Sequence, residues 1–558
     1  MQKGQCLHEG RRKMEKQSGK IWKNLAVIVF VVSLPFAVLL QVSSEFGNAG
    51  IVINLVLAFI LGIFLATKIT GALTVQQGKW KVAAAFLAAL YTSYNYTMQG
   101  NGVYLLSQHL DIVEKLSPIR VTSNRLVAGF VVASFPAIFF LIYYVIAQIL
   151  PYVKKFLGTL DRTERRFLIA FSVVGIVMMG FLYVHTNAFY DAVHNGKTEV
   201  YDVIYTTDST MIYTSDSFMR ILSGENDIRQ PLFGLFSMPV ALLAKLVSLP
   251  FFFLHDSYAY ALQAIQIVLL GIAHVMLARL LELGKKEKYA FWAFFVGSYT
   301  YVLFSFVVEQ YIMAYFYVVL TIYVWKNSEK KNYAYFGAVS TMLTSGVLFP
   351  LITKKKKWKE WITDLLYCLV VYFELVILCG QLPQFLNIRN KLADLMFFAG
   401  GKVTLQQKWI QFTWFVEHLF LAPSAAEAYA VDRGGPRFLL AEQQSVSVIG
   451  IVILIAAVLG FLYSYKNKMS QIAVCWVGFS MVLLFLIGWG TAENGLILYS
   501  MYFAWAYLIL IYQFICKWIR NEKAVLAVIG VFAVLMLLYN LGGLYQIYQF
   551  GVINYPAG

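Results

Sequence analysis

Long apolar runs, cut by short polar stretches rich in lysine and arginine, dominate this 558-residue chain. A run of about 18 residues or more can carry a helix across a roughly 30 Å hydrocarbon layer, where only a structure that satisfies its own backbone hydrogen bonds is stable. The pattern predicts helical spans over 25–42, 51–67, 82–98, 126–150 and 167–184, then 259–281, 289–307, 311–325 and 361–380. The last four are 448–464, 470–488, 498–516 and 524–541, which makes about 13 crossings of an all-α polytopic membrane protein.

Two further apolar stretches, 232–253 and 333–352, are long enough to cross, and charge arbitrates because loops on the cytoplasmic side gather Lys and Arg. If both crossed, Lys285, Lys286 and Lys288 and the lysines of 326–331 would fall outside. If neither crosses, Arg11, Arg12 and Lys13, the Arg165 and Arg166 pair and the lysines of 354–357 all fall inside. Pro239, Pro250 and Lys245 then suit 232–253 to an outer interfacial helix. Thr344, Ser345 and Gly346 suit 333–352 to a short re-entrant hairpin. The expected order is a basic cytoplasmic tail (1–24), a four-span N-terminal segment (25–166) and a core (167–380) with outer loop 185–231. A second outer loop (381–447) and a C-terminal four-span segment (448–558) follow, leaving the C-terminus outside the plasma membrane.

Composition agrees: 60% of residues are hydrophobic and only 13% charged, with a mean hydropathy of +0.67, which excludes a soluble enzyme or a disordered chain. The net charge of +16, from 45 Lys and Arg against 29 Asp and Glu, sits in loops between spans and reports topology, with no nucleic-acid partner implied. Cys6, Cys368, Cys379, Cys475 and Cys516 are scattered, without the spacing of a disulfide framework or a metal cluster. The basic N-terminus leads into a full-length apolar run without a small-residue cleavage site, so the first helix is expected to stay as an anchor. With neither a phosphate-cradling P-loop nor a dinucleotide fingerprint, energy is expected from an activated substrate or a gradient.

Candidate chemistry concentrates in the outer loops. Asp202, Asp208 and Asp216 stand among Tyr, Ser and Thr, followed by Arg220, Glu225, Asn226, Asp227, Arg229 and Gln230. Carboxylates with hydroxyls and aromatic rings are what a sugar site needs, for proton transfer and for stacking; the same acids would equally serve a water-facing loop. Glu309 lies between two apolar runs within a residue or two of the outer surface, as a turn residue or facing the same cavity, and Glu374 lies within a span. Lys402, Lys408, His418, Arg433 and Arg437 stand beside Trp409, Phe412, Trp414 and Phe415, a combination able to hold a lipid phosphate or to serve as ordinary loop charge. Glu493 and Asn494 sit between the last spans, and His255 and His274 have no partner nearby in sequence.

The order of these features resembles the GT-C glycosyltransferases that use polyprenyl-phosphate sugars, most closely the protein mannosyltransferase and aminoarabinose transferase branch, over roughly 167–374. The resemblance is carried by Asp208 in YTTDST, by RQPLF (229–233) opening the interfacial stretch, by the basic cap HVMLARLLELGKKEK and by Glu309 at the outer junction of two short helices. The paired acid of that family is absent, so Asp208 and Asp216 compete for one place, Arg229 and Gln230 stand where His-Pro is usual, and the four N-terminal spans have no counterpart. The resemblance implies transfer of a sugar from a polyprenyl-phosphate donor to a glycan or lipid acceptor of the cell envelope. In it Asp208 or Asp216 is the base, Glu309 positions the acceptor or a bound divalent cation, and Arg220, Arg229, Asn226, Asp227, Gln230, Lys402, Lys408 and His418 bind substrate. A transporter or flippase of lipid-linked saccharides, or a non-catalytic envelope-assembly protein, stands as the alternative.

Overall fold

The computed structural model describes residues 150–190, 203–215, 230–254, 256–327, 358–378, 388–423, 425–430 and 435–557, with isolated positions between. Two compact units divide the chain: Met1–Leu160 with Leu222–Asn226 and Glu374–Leu386, and Asp161–Ile221 with Asp227–Phe373 and Asn387–Gly558. In the first, the Phe86 ring meets Phe139 edge-on and Phe139 stacks on Tyr143. The expected spans from 25 to 150 and the re-entrant stretch 333–352 otherwise lie outside the described residues.

The described residues of the second unit are mostly helical. Its helices are α1 (Arg162–His185), α2 (Ser209–Ser215), α3 (Phe233–Ser248), α4 (Ser257–Leu280), α5 (Lys285–Gly297), α6 (Tyr299–Phe304), α7 (Tyr311–Asn327), α8 (Trp358–Leu378), α9 (Ile388–Phe398) and α10 (Leu405–His418). A hairpin of β1 (Ala425–Ala430) and β2 (Gly435–Leu440) comes next, then α11 (Val448–Ser464), α12 (Lys468–Ser480), α13 (Ser500–Trp518) and α14 (Glu522–Asn554). Among the described residues six helical stretches are long and apolar enough to cross a membrane: Arg162–His185, Phe233–Phe251, Ser257–Leu280, Lys468–Ile487, Leu496–Trp518 and Glu522–Asn554. Tyr311–Lys326 and Val448–Ser464 are apolar but shorter. Helices occupy every expected span from 167 onward, and Phe233–Phe251, expected at the interface, also has the length and apolarity of a span.

Burial separates core from periphery. The apolar helices α4 and α13 are enclosed on most sides, whereas α1 exposes Ile169, Val173, Val177, Phe181 and Val184 and α14 exposes Val531, Leu535 and Leu538. Stripes of that size are tolerable only against lipid or a partner. Small residues permit close helix contacts: a Cβ on Gly460 of α11 would collide with the Leu510 carbonyl of α13, and one on Gly297 would lie 2.7 Å from the Ala533 carbonyl of α14.

One end of the bundle is closed by charge. Asp161 caps α1 by accepting from the Glu164 N–H, and Glu164, buried, pairs with Arg279 at the end of α4 (2.5 Å) and with Lys288 at the start of α5 (2.8 Å). Lys288 also reaches Asp161 at 2.6 Å, and Arg279 donates to the Tyr323 hydroxyl on α7. The Leu-Ala-Arg cap singled out in the sequence is thus the hub of an ion-pair cluster joining four helices. Burial alone would raise the Asp161 carboxyl, but the Lys288 ammonium and backbone N–H donors outweigh it and hold it below the usual carboxylate range.

The opposite end carries the loops. The segment 381–447, expected as a loop, contains α9, α10 and an antiparallel hairpin pairing Ala425 with Leu440 through Ala430 with Gly435. After α14 the Tyr555 carbonyl accepts from the Asn187 N–H and the Thr186 hydroxyl beyond α1.

Candidate functional site

The loop bearing Asp208 is built on the hairpin. Ile204 bridges Phe438 in parallel: the Tyr205 N–H donates to the Phe438 carbonyl (2.9 Å) and the Phe438 N–H to the Val203 carbonyl (2.8 Å). Tyr205 and Thr206 then adopt left-handed backbone (φ 49° and 63°), unfavourable for residues with a Cβ and maintained only where the surroundings compel it. Contacts to the Phe438 backbone and a hydroxyl contact between Tyr205 and Tyr299 at 3.2 Å supply that constraint. Burial pushes the Tyr205 hydroxyl well above its ordinary pKa, so it stays protonated. The turn closes with Thr207 N–H on the Ile204 carbonyl and delivers Asp208 to the start of α2.

The partner comes from the α6–α7 junction. Val308 is fixed by its N–H on the Phe189 carbonyl, and the next residue, Glu309, is fully buried. Its Oε1 accepts the Asp208 backbone N–H at 3.0 Å, and its Oε2 accepts the N–H of Gln310. Glu309 therefore holds the main chain of Asp208, a half-buried residue. Around it the hydroxyls of Thr206, Thr207 and Ser209 are buried without a hydrogen-bond partner. Groups of that kind ordinarily find one, so three together beside a carboxylate are suited to a polar ligand.

Asp256, which the sequence pattern did not single out, is the second carboxylate of this end. It precedes α4 with a left-handed backbone (φ 60°), and its two oxygens receive the hydroxyls of Tyr213 on α2 (2.7 Å) and Tyr190 (3.3 Å). Burial first, then the Asp256 charge, raises the Tyr190 pKa. The only signal in the sequence was an Asp directly ahead of an apolar run, which reads as a helix cap.

The remaining candidates separate. Gln230 is half-buried just ahead of α3, its carbonyl accepting the Phe233 N–H. Lys402 is exposed in the turn between α9 and α10. Lys408 is engaged: its ammonium donates to the Ala399 carbonyl (3.1 Å) and the Ile487 carbonyl (2.7 Å), clamping two helix ends together. Among aromatics it resembled a phosphate ligand in sequence, but unfilled helix-end carbonyls compete for such a cation. His418 is buried at the end of α10, its Nδ1–H directed to the Leu421 carbonyl, and burial lowers its pKa to about 4. Asp216, Arg220, Asn226, Asp227 and Arg229 lie outside the described residues.

Among the described residues no three His, Cys, Asp or Glu side chains converge, and both Glu309 oxygens accept backbone N–H groups. Comparison with family models, curated proteins and solved structures finds no match to this chain.

Proposed function

We propose that the chain is a membrane-embedded glycosyltransferase of GT-C type, moving a sugar from a polyprenyl-phosphate donor to an acceptor hydroxyl on the outer face of the membrane. The observation that carries the reading is the contact between the two acids marked by sequence, Glu309 fixing the Asp208 backbone beside three buried hydroxyls. In the proposed reaction the acceptor oxygen attacks the anomeric carbon as the bond from that carbon to the phosphate oxygen breaks, its electron pair leaving with the lipid phosphate. The acceptor proton passes to the Asp208 carboxylate, general-base assistance worth about 10²–10⁴ in rate. Arg220 and Arg229, on the same loop in sequence, are the cations assigned to the departing phosphate.

The test is transfer of labelled sugar from a panel of polyprenyl-phosphate sugars to membrane acceptors by the full-length protein. Asp208→Asn should lose at least 100-fold in turnover while melting like wild type, and Glu309→Ala, which releases the Asp208 backbone, should lose about 10-fold or more. Full activity in Asp208→Asn with loss in Asp216→Asn would move the base to Asp216.

A second reading, translocation of a lipid-linked saccharide, is favoured by one observation. Gln263, Gln266 and His274 line α4 inside the bundle, each with a buried polar atom lacking a hydrogen-bond partner. Saccharide flux in liposomes that is lost in His274→Leu and retained in Asp208→Asn would select it.

A further inference from the structure

We propose that Asp256, at the start of α4, is a positioning residue that braces both members of the Asp208 and Glu309 pair. Its bearing on turnover rests on the glycosyl-transfer reading; the brace itself does not.

An Asp in this place ordinarily caps its own helix, its side chain accepting the N–H of the second or third helical residue. Asp256 makes no such cap on α4, and its backbone is left-handed (φ 60°). A forgone cap and a left-handed backbone at one residue persist only where the surroundings compel them, and residues held in that way gather at functional sites. The carboxylate is spent elsewhere: Oδ1 accepts the Tyr213 hydroxyl (2.7 Å) and Oδ2 the Tyr190 hydroxyl (3.3 Å).

Each hydroxyl belongs to a segment that holds one member of the pair. Tyr213 lies on α2, which begins directly after Asp208 and, at 7 residues, is too short to keep its shape unaided. The Glu309 carboxylate fixes the front of α2 through the Asp208 N–H (3.0 Å), and the Asp256 carboxylate fixes it further along through Tyr213, whose ring also stacks on Tyr258 of α4. Tyr190 serves the other member. Its neighbour Phe189 accepts the Val308 N–H (3.0 Å), and Val308 directly precedes Glu309. The Tyr190 hydroxyl also reaches Asn187 Oδ1 (3.0 Å), and its ring packs on Tyr183, which donates to the Phe306 carbonyl (2.8 Å) just ahead of Glu309. One carboxylate thus ties the loop bearing Asp208 and the junction bearing Glu309 to the start of α4. A displacement of about 1 Å in a catalytic group costs on the order of 100-fold in rate, and the tie opposes such a displacement.

The test reads position and turnover separately in the full-length protein. Hydrogen–deuterium exchange in detergent should be about 10-fold faster over 203–215 in Asp256→Ala and in Tyr213→Phe than in wild type, with exchange over α13 unchanged. In the transfer assay, compared at equal folded fraction, both variants should lose about 10-fold in kcat with the donor KM within about 2-fold of wild type. Asp256→Asn, whose amide oxygen still accepts from Tyr213, should regain most of both losses. Tyr213→Phe keeps the ring and its packing, so it carries the test if Asp256→Ala does not melt like wild type. Unchanged exchange in the folded variants, or faster exchange with kcat unaltered, overturns the proposal. A loss in Asp256→Asn as deep as in Asp208→Asn also overturns it, because Asp256 would then be a catalytic carboxylate. The expected exchange pattern in a wild-type protein that transfers no sugar overturns the transferase reading and leaves the brace standing.

Discussion

Asp208 owes its backbone position to a carboxylate 101 residues further along the chain. That pairing was partly legible in sequence, because an acid between apolar runs and an acid among hydroxyls each stand out against a hydrophobic background; their contact was not, since it depends on how α6 and α7 bring Glu309 round. Lys408 was legible as a cation beside aromatics, but its partners are backbone carbonyls that no side-chain pattern reveals. Lys408→Met should therefore cost about 1–3 kcal/mol in stability, measured as a lower melting temperature, and leave the donor KM of the residual activity unchanged; a raised KM at unchanged stability would return Lys408 to the substrate. His418 sets a pH dependence. Its folded pKa of about 4 lies below the unfolded value of about 6.5, so between these the unfolded chain binds more protons, and stability present above pH 6.5 is lost as pH falls. The melting temperature of wild type should fall more between pH 7 and pH 5 than that of His418→Gln; parallel profiles would contradict the buried neutral imidazole.

At the scale of elements, the expected span 289–307 is two helices broken at Ser298, whose backbone is extended (ψ 148°). Irregular backbone at membrane depth is tolerated only where its polar groups find partners inside the protein. The Tyr299 N–H goes to the Phe420 carbonyl, and the buried Asn540 of α14 donates to the carbonyls of Gly297 (2.8 Å) and Phe420 (2.7 Å) while accepting from the Ala422 N–H (2.7 Å). A sequence scan sees only a small polar step at Gly297 and Ser298, because the groups that make the break possible are more than a hundred residues away. Asn540→Leu removes the Asn540 partner of the Gly297 carbonyl and of the Ala422 N–H, leaves the Phe420 carbonyl only its Tyr299 donor, and should cost about 1–3 kcal/mol, read as a drop in melting temperature in detergent; unchanged melting would show that the break is held by packing alone. The hairpin was equally hidden. AAEAYA is helix-favouring in isolation, and it forms β1 because β2 supplies a cross-strand partner for each residue.

For the whole molecule, run length and composition sufficed to identify a helical chain built for a membrane, since apolar helices with exposed stripes of Val, Leu and Ile have no stable alternative in water. At one end of the bundle the structure gathers the buried Glu164 with Arg279 and Lys288. At the other end Glu309 ahead of α7, Asp256 ahead of α4 and the hairpin converge on the Asp208 loop and α2, while the tail after α14 is tied to the end of α1 across 369 residues. The central claim is that this region transfers a sugar with Asp208 as base. The most direct measurement is single-turnover transfer of labelled sugar from polyprenyl-phosphate donors by purified full-length protein, wild type against Asp208→Asn of equal melting temperature. The account predicts transfer by wild type and a loss of at least 100-fold in the variant. Equal transfer by both, or none by wild type with any donor, would contradict it.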